Sequence, residues 1–448
     1  MPSTIFYNKD NRLFGNPEDN KVHDITEEDI VQLWYYAEQD DGWAEAIKKE
    51  VTERDKALHQ GHFKFDFLQD EMLMSQAGGT IHAMPFGLRI ISFPSKRQLF
   101  RGEIQNFHHS LPSLNRIINN VTDEKEKELL RVIAYMRKWL FVRLIWKLNI
   151  VRYWAAKLSD VNYDALAQHY GLPTHLMDLT NDFRAALFFA TCKYDARTDS
   201  YRPLTQEEID VSEDTKYGYI FHVPDWCIDY FEGGGCMKWT SEHLYNKDIN
   251  GKHGLMERFY LQSGDMDGVA LQIGYQPLQR CHHQSGYIYP MRNTPCLQDD
   301  WHFEKLRFKQ SERLSKQVFD LMDQGKKVFP YEGINELREY IEIIKHSVKF
   351  SNEDLQFAYE DDGVDKNIFP TLDNLKKSLV GYRIADGIIT IQDELVDFII
   401  PQELLDKVNS HYDDKDLLQE VGGVIHQRPE DREYFKKRCI EIYGELIP

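Results

Sequence analysis

Gln168-His169-Tyr170-Gly171-Leu172-Pro173-Thr174-His175-Leu176-Met177-Asp178-Leu179-Thr180, running on into Asn181-Asp182-Phe183-Arg184-Ala185-Ala186-Leu187-Phe188-Phe189-Ala190, is the stretch whose reading decides the fold. Gly171 and Pro173 turn the chain. Thr174 to Leu179 then alternates as a short strand, with Thr174, Leu176 and Asp178 on one face and His175, Met177 and Leu179 on the other. Thr180 or Asn181 is placed to N-cap a helix whose Ala185, Ala186, Phe188 and Phe189 are core residues. Hydroxyl and carboxylate groups beside a helix N-terminus make a candidate cradle for an anion or nucleotide. The competing reading is that Asp178 and Thr180 satisfy backbone donors at the turn.

Upstream, Phe86 to Phe93 is rich in β-branched and aromatic residues, and Gln98-Leu99-Phe100-Arg101-Gly102-Glu103 is a short apolar strand ending in charge. An arginine at a strand end followed by glycine lets a guanidinium and bare backbone approach a phosphate or carboxylate. Leu129 to Leu158 reads as a long helix carrying seven basic residues and no acid, with Trp139, Trp146 and Trp154 interleaved. A nucleic-acid or membrane-surface role suits such a helix. Apolar residues on most of its faces favour packing inside the protein, with the bases snorkelling outward. Before residue 90 the chain reads as helical, with a helix opening at Thr26-Glu27-Glu28-Asp29 and a loop at Ala77-Gly78-Gly79.

Downstream, Tyr217–Val223, Gly268–Ile273, Gly286–Tyr289 and Phe303–Phe308 read as strands, and Ser311 to Gln324 as a helix stopping at Gly325. Residues 331–448 hold 26 acids and 14 bases, so −12 of the chain's net −19 lies in this last quarter. Phe329-Pro330 and Phe369-Pro370, each just after a glycine, open a weak internal echo.

A length of 448 residues suggests two or three domains, and 42% hydrophobic with 28% charged residues is an ordered globular composition. The acidic balance argues against broad non-specific binding to nucleic acid or anionic lipid. Six scattered cysteines without a CxxC, no signal-like N-terminus and no long apolar run point to a cytoplasmic protein with no membrane span. Cys281-His282-His283 near His302 would splay to both faces of a strand, so no metal is expected there. Gly233-Gly234-Gly235 lacks the surroundings of a phosphate loop and reads as a turn.

Taken together, Phe100-Arg101-Gly102-Glu103, Leu111-Pro112-Ser113-Leu114, the His-Tyr-Gly-Leu-Pro-Thr…Asp…Thr segment with its Ala…Phe-Phe-Ala helix, Gln284-Ser285-Gly286-Tyr287 and a Phe-Pro helix start at Phe329 or Phe369 resemble the FRG domain family over roughly residues 90–345. The layout of that family looks like that of the ADP-ribosyltransferases. The resemblance therefore implies an α+β fold: a mostly antiparallel split sheet of ADP-ribosyltransferase type in residues 90–345. A helical N-terminal cover (1–89) and an acidic C-terminal extension (346–448) would flank it.

Carried over, Arg101 and Gly102 would hold the phosphates or ribose of NAD. Thr174, Thr180 and Asp178 would organise the nicotinamide side, with His169 as a further contact. Where such transferases carry a late glutamate the chain has Gln284, and Glu304 on the following strand is the nearest acid; Asp178 is the alternative carboxylate. Leu179 and His175 replace the usual Trp and Arg of the motif. The expected function is an NAD-consuming, ADP-ribosyltransferase-like effector of toxin or anti-phage type, with a protein or nucleic-acid acceptor. The alternative is a non-catalytic module that senses a nucleotide and docks a protein partner through its acidic C-terminal region.

Overall fold

The computed structural model describes residues 22–35, 37, 99–152, 161–223, 270–273, 276–292, 296–300, 303–361 and 363–412, with strands at 72–74, 80–84, 87–91, 240–244 and 256–260. The turns at Ala77-Gly78-Gly79 and Gly233-Gly234-Gly235, and Trp154 and Lys157, lie outside these residues.

Seven strands form the central sheet: β1 (Val22–Asp24), β2 (Leu99–Glu103), β3 (Leu176–Thr180), β4 (Tyr217–Val223), β5 (Leu271–Gln272), β6 (Gly286–Pro290) and β7 (Glu304–Lys309). Their spatial order is β1-β7-β4-β2-β3-β6-β5. Every neighbouring pair is antiparallel except β1 with β7, so the fold is mixed α+β with a mostly antiparallel sheet. The middle of the sheet is open: β2 and β3 share a single bridge, Phe100 opposite Thr180, whereas β2 and β4 pair over five residues.

Strand alternation sorts side chains onto two faces. Phe100, Ile220, Leu306 and Phe308 face one way, into a core with Phe183, Ala186, Phe188 and Ala190 of the helix Phe183–Thr191. Leu99, Phe221, Val223, Met177, Leu179 and Tyr287 face the other way, into a second core.

The helices that matter here are α1 (27–35), α2 (Ser113–Ile118), α3 (Glu124–Ile145), α4 (Tyr163–His169), α5 (Phe183–Thr191), α6 (Glu312–Leu321), α7 (Arg338–Lys345), α8 (Asn352–Asp361), α9 (Leu372–Leu379) and α10 (Gln402–Tyr412). The N-cap of α5 is Asp182, whose carboxylate accepts from the Arg184 amide at 2.8 Å, rather than Thr180 or Asn181.

The expected helical N-terminal cover needs correction. Only α1 answers to it among the described residues: β1 joins the sheet edge, and Met72–Met74, Thr80–Met84 and Gly87–Ile91 form an antiparallel three-stranded meander. The physical reason lies in composition, since Thr80, Ile81, Ile90 and Ile91 are β-branched and favour strands.

Helix α3 packs inside the protein. Val132, Met136, Leu140, Phe141 and Leu144 are fully enclosed, in one core that runs on to Ile334, Phe350, Phe369, Leu375 and Tyr412. The core is therefore continuous across residue 345. The bases of the α3 region meet the acids of residues 354–397: Arg143 pairs with Asp354 at 2.7 Å, Arg137 with Asp386 at 2.7 Å and Lys147 with Asp397 at 2.8 Å. The two opposite charge biases seen in the sequence thus meet in these three ion pairs.

Candidate ligand-binding site

Arg101 lies at the open seam between β2 and β3. Its Nε donates to Glu103 Oε1 at 3.1 Å and its Nη1 to the backbone carbonyl of Asp178 at 3.0 Å. The strands have already parted there, so the guanidinium takes up a carbonyl that a neighbouring strand would otherwise pair. Glu103 is itself fixed, accepting at 2.7 Å from Ser110 Oγ, which in turn accepts from Gln298. Arg101 is 26% exposed, and its Nη2 makes no hydrogen bond among the described residues.

Asp178 projects from the opposite face of the sheet, together with Thr180. Its carboxylate is 40% exposed and accepts from Gln168 Nε2, while Gln168 Oε1 accepts from the Thr174 hydroxyl. Thr174 is buried, and its backbone is held by Ser113 at the start of α2, which accounts for the Leu-Pro-Ser-Leu stretch. His169 Nε2 stands 3.8 Å from Asp178. Burial pushes this imidazole below its usual value; Asp178 opposes the shift and Arg280 adds to it. Asp178, Thr174 and His169 therefore do come together on one face, Gln168 bonding the first two, whereas Arg101 reaches this group only through the Asp178 backbone carbonyl.

Four expected site residues are placed differently. Gly102 is roofed by α5: a Cβ there would stand 1.7 Å from the Ala186 carbonyl oxygen, so its bare backbone admits a helix rather than a ligand. Thr180 is buried and spends its hydroxyl on the Gln284 carbonyl at 2.6 Å and the Asp182 amide at 3.0 Å. Gln284 is buried before β6, its amide donating to the Val328 carbonyl at 3.0 Å, where it braces the 327–328 loop. Glu304 sits on β7 opposite His222 of β4, bonded to its Nδ1 at 2.6 Å. That register puts Glu304 on the Phe100 face, two strands from β2 and turned away from Arg101. Cys281 and His283 lie on a one-turn helix, Arg280–His283, not on a strand.

A cleft of about 220 Å³ lies between the 198–201 and 324–335 segments, with Asp199, Tyr201, Phe329 and Asn335 in its wall. Buried Arg280 joins it to the Asp178 cluster. Its guanidinium stands 3.8 Å from the Phe329 ring centroid and 4.7 Å from that of Tyr170. Its Nη1 donates to the His169 carbonyl at 3.1 Å and its Nη2 to Asp199 at 3.3 Å. Such a stacked cation is invisible in sequence, since its partners are more than 45 residues away on either side.

No helix among the described residues is long and apolar enough to cross a membrane. No curated protein and no solved structure matches the chain. The family model described as FRG domain matches residues 96–199, a span that holds Arg101, Thr174 and Asp178 and ends before Gln284. The chain carries an FRG domain over residues 96–199.

Proposed function

We propose that the FRG domain binds an NAD-type nucleotide at the seam between β2 and β3 and acts as a ligand-sensing module. The observation that carries this reading is the state of Arg101, a partly exposed guanidinium fixed on two sides with Nη2 left open. A pre-oriented guanidinium loses little freedom when it takes a phosphate in bidentate fashion. Sensing is preferred over group transfer because Glu304 is committed to His222 on the other side of the sheet. Gln284 offers no carboxylate in its place.

A second reading is favoured by one observation, the 40% exposed Asp178 carboxylate one carbonyl away from Arg101. In that reading the protein is an NAD-consuming effector of toxin or anti-phage type. The Asp178 carboxylate stabilises the oxocarbenium ion as the nicotinamide–ribose bond breaks, and water or an acceptor adds to the anomeric carbon.

Incubation with NAD separates the two. A melting shift without free nicotinamide, abolished in Arg101→Ala and kept in Glu304→Gln, is the result expected for sensing. Nicotinamide release lost in Asp178→Asn establishes cleavage instead. No response of any kind to NAD refutes both.

A further inference from the structure

The register of the sheet places a second cation on the row of Arg101, and helix α2 brings a third. Arg101 on β2 is opposite Phe221 on β4, and Phe221 is opposite Lys305 on β7, so the three form one row on the same face. With strands about 4.8 Å apart, the Arg101 and Lys305 backbones are about 10 Å apart along that row. The next row on this face is neutralised: Arg307 is clamped by Asp24 at 2.6 and 2.9 Å. Lys305 has no such partner among the described residues; its ammonium stands 5.9 Å from the Phe221 ring centroid.

Arg116 supplies the third cation. It lies on α2, whose first turn is tied to Thr174 through Ser113, and it makes no ion pair among the described residues. Its pKa is lowered, first by partial desolvation and next by the facing charge of Arg101. Lys305 is likewise lowered by desolvation, with Cys296, Asp299 and Glu103 opposing. The buried acid among these cations, Glu103, is already spent on Arg101 and Ser110.

We infer that Arg101, Arg116 and Lys305 form a cradle for a ligand with two or more negative charges, of the diphosphate class. The inference rests on the proposed binding role of Arg101, and it assigns that site the diphosphate bridge of the nucleotide rather than its base. Cations on strands about 10 Å apart match a ligand whose charge is spread over two phosphates. Glu103 offsets one of the three charges, and the two cations without a carboxylate partner among the described residues add to the positive field that an anion would relieve.

The test is titration of the full chain with inorganic pyrophosphate, ADP-ribose, NAD and adenosine, followed calorimetrically at two salt concentrations. Pyrophosphate and ADP-ribose are expected to bind and adenosine not to. Arg116→Gln and Lys305→Gln should each weaken ADP-ribose about tenfold and flatten the salt dependence, as the loss of one charge contact requires. Lys305→Arg should restore most of the affinity.

If ADP-ribose binds in an Arg101-dependent way but both glutamine variants equal wild type, the cradle is overturned while the nucleotide site stands. If pyrophosphate binding is lost in both glutamine variants but no nucleotide binds, the cradle stands and the nucleotide reading falls. Adenosine binding as tightly as ADP-ribose overturns the diphosphate assignment, and the absence of binding by any of the four probes overturns both.

Discussion

Replacing Gly102 by alanine tests which side of the signature tripeptide faces the ligand. The added Cβ would stand 1.7 Å from the Ala186 oxygen and 2.7 Å from both the Ala186 carbon and the Ala190 nitrogen. Ordinary contact begins at 3.4 Å, so α5 would have to retreat by about 1.7 Å. All three colliding atoms are helix backbone, and no rotamer change relieves them. A gap of 0.5–1 Å already forfeits a quarter to a half of the dispersion energy of a contact. A retreat of this size therefore strips most of the attraction between the sheet and the buried face of α5, which holds Phe183, Ala186 and Phe188. Overpacking in a rigid core costs about 1–3 kcal/mol, and this site belongs at or above the upper end. Urea unfolding of Gly102→Ala, followed by tryptophan fluorescence, should show a loss of about 3 kcal/mol or more. Arg101→Ala, altered on the opposite face, should lose about 1 kcal/mol, as expected for its hydrogen bonds. Stability of Gly102→Ala within about 0.5 kcal/mol of wild type, with ligand response altered, would refute the packing role and return Gly102 to the ligand side.

Two further outcomes follow from buried charge. Glu332 is fully buried, accepting from the Tyr170 hydroxyl, from the Gln279 amide at 2.9 Å and from the Tyr412 hydroxyl at 3.2 Å, and burial raises its pKa above 4.5. A folded value above the unfolded one helps folding fully below pH 4.5, and the help is lost as pH rises through the folded value. The stability of wild type relative to Glu332→Gln should therefore fall with rising pH in urea melts; a flat difference contradicts the burial account. Arg143→Met leaves the fully buried Asp354 without its cation and should cost about 3 kcal/mol. Lys147→Gln, which breaks the more exposed pair with Asp397, should cost under about 1 kcal/mol, and equal losses in the two melts would refute the distinction.

What the sequence made legible was local. The alternation around Thr174 to Leu179 and the apolar helix after it correspond to β3 and α5, and the described part of the basic tryptophan-bearing segment is packed as expected, although its helix stops at Ile145. What escaped it depends on register between distant segments. Glycine at 102 reads equally well as a place for a phosphate or for a helix, and only the passage of Ala186 over it decides. Glu304 was a reasonable acid by chain order, but the pairing of β7 with β4 turns it to the wrong face. Arg116 and Lys305 carry no motif at all, and their places relative to Arg101 come from a helix tied to Thr174 and from a strand row. In the acid-rich C-terminal region, Asp354, Asp386 and Asp397 pair with bases more than 200 residues earlier, a pairing that no local pattern announces.

That last arrangement sets the timing of folding on the ribosome. The apolar surface of α3 is complete once Ile145 is made, but its covering partners extend to Tyr412. At about 5–20 residues per second, synthesis of the intervening chain takes on the order of 15–50 s. Leu114, Leu166 and Leu176 can cover part of that helix early, but the remaining apolar surface stays open until residues 334–412 are made. Closure of this core is thus a late, long-range event, and the yield of native protein depends on what shields α3 while the rest of the chain is still being translated.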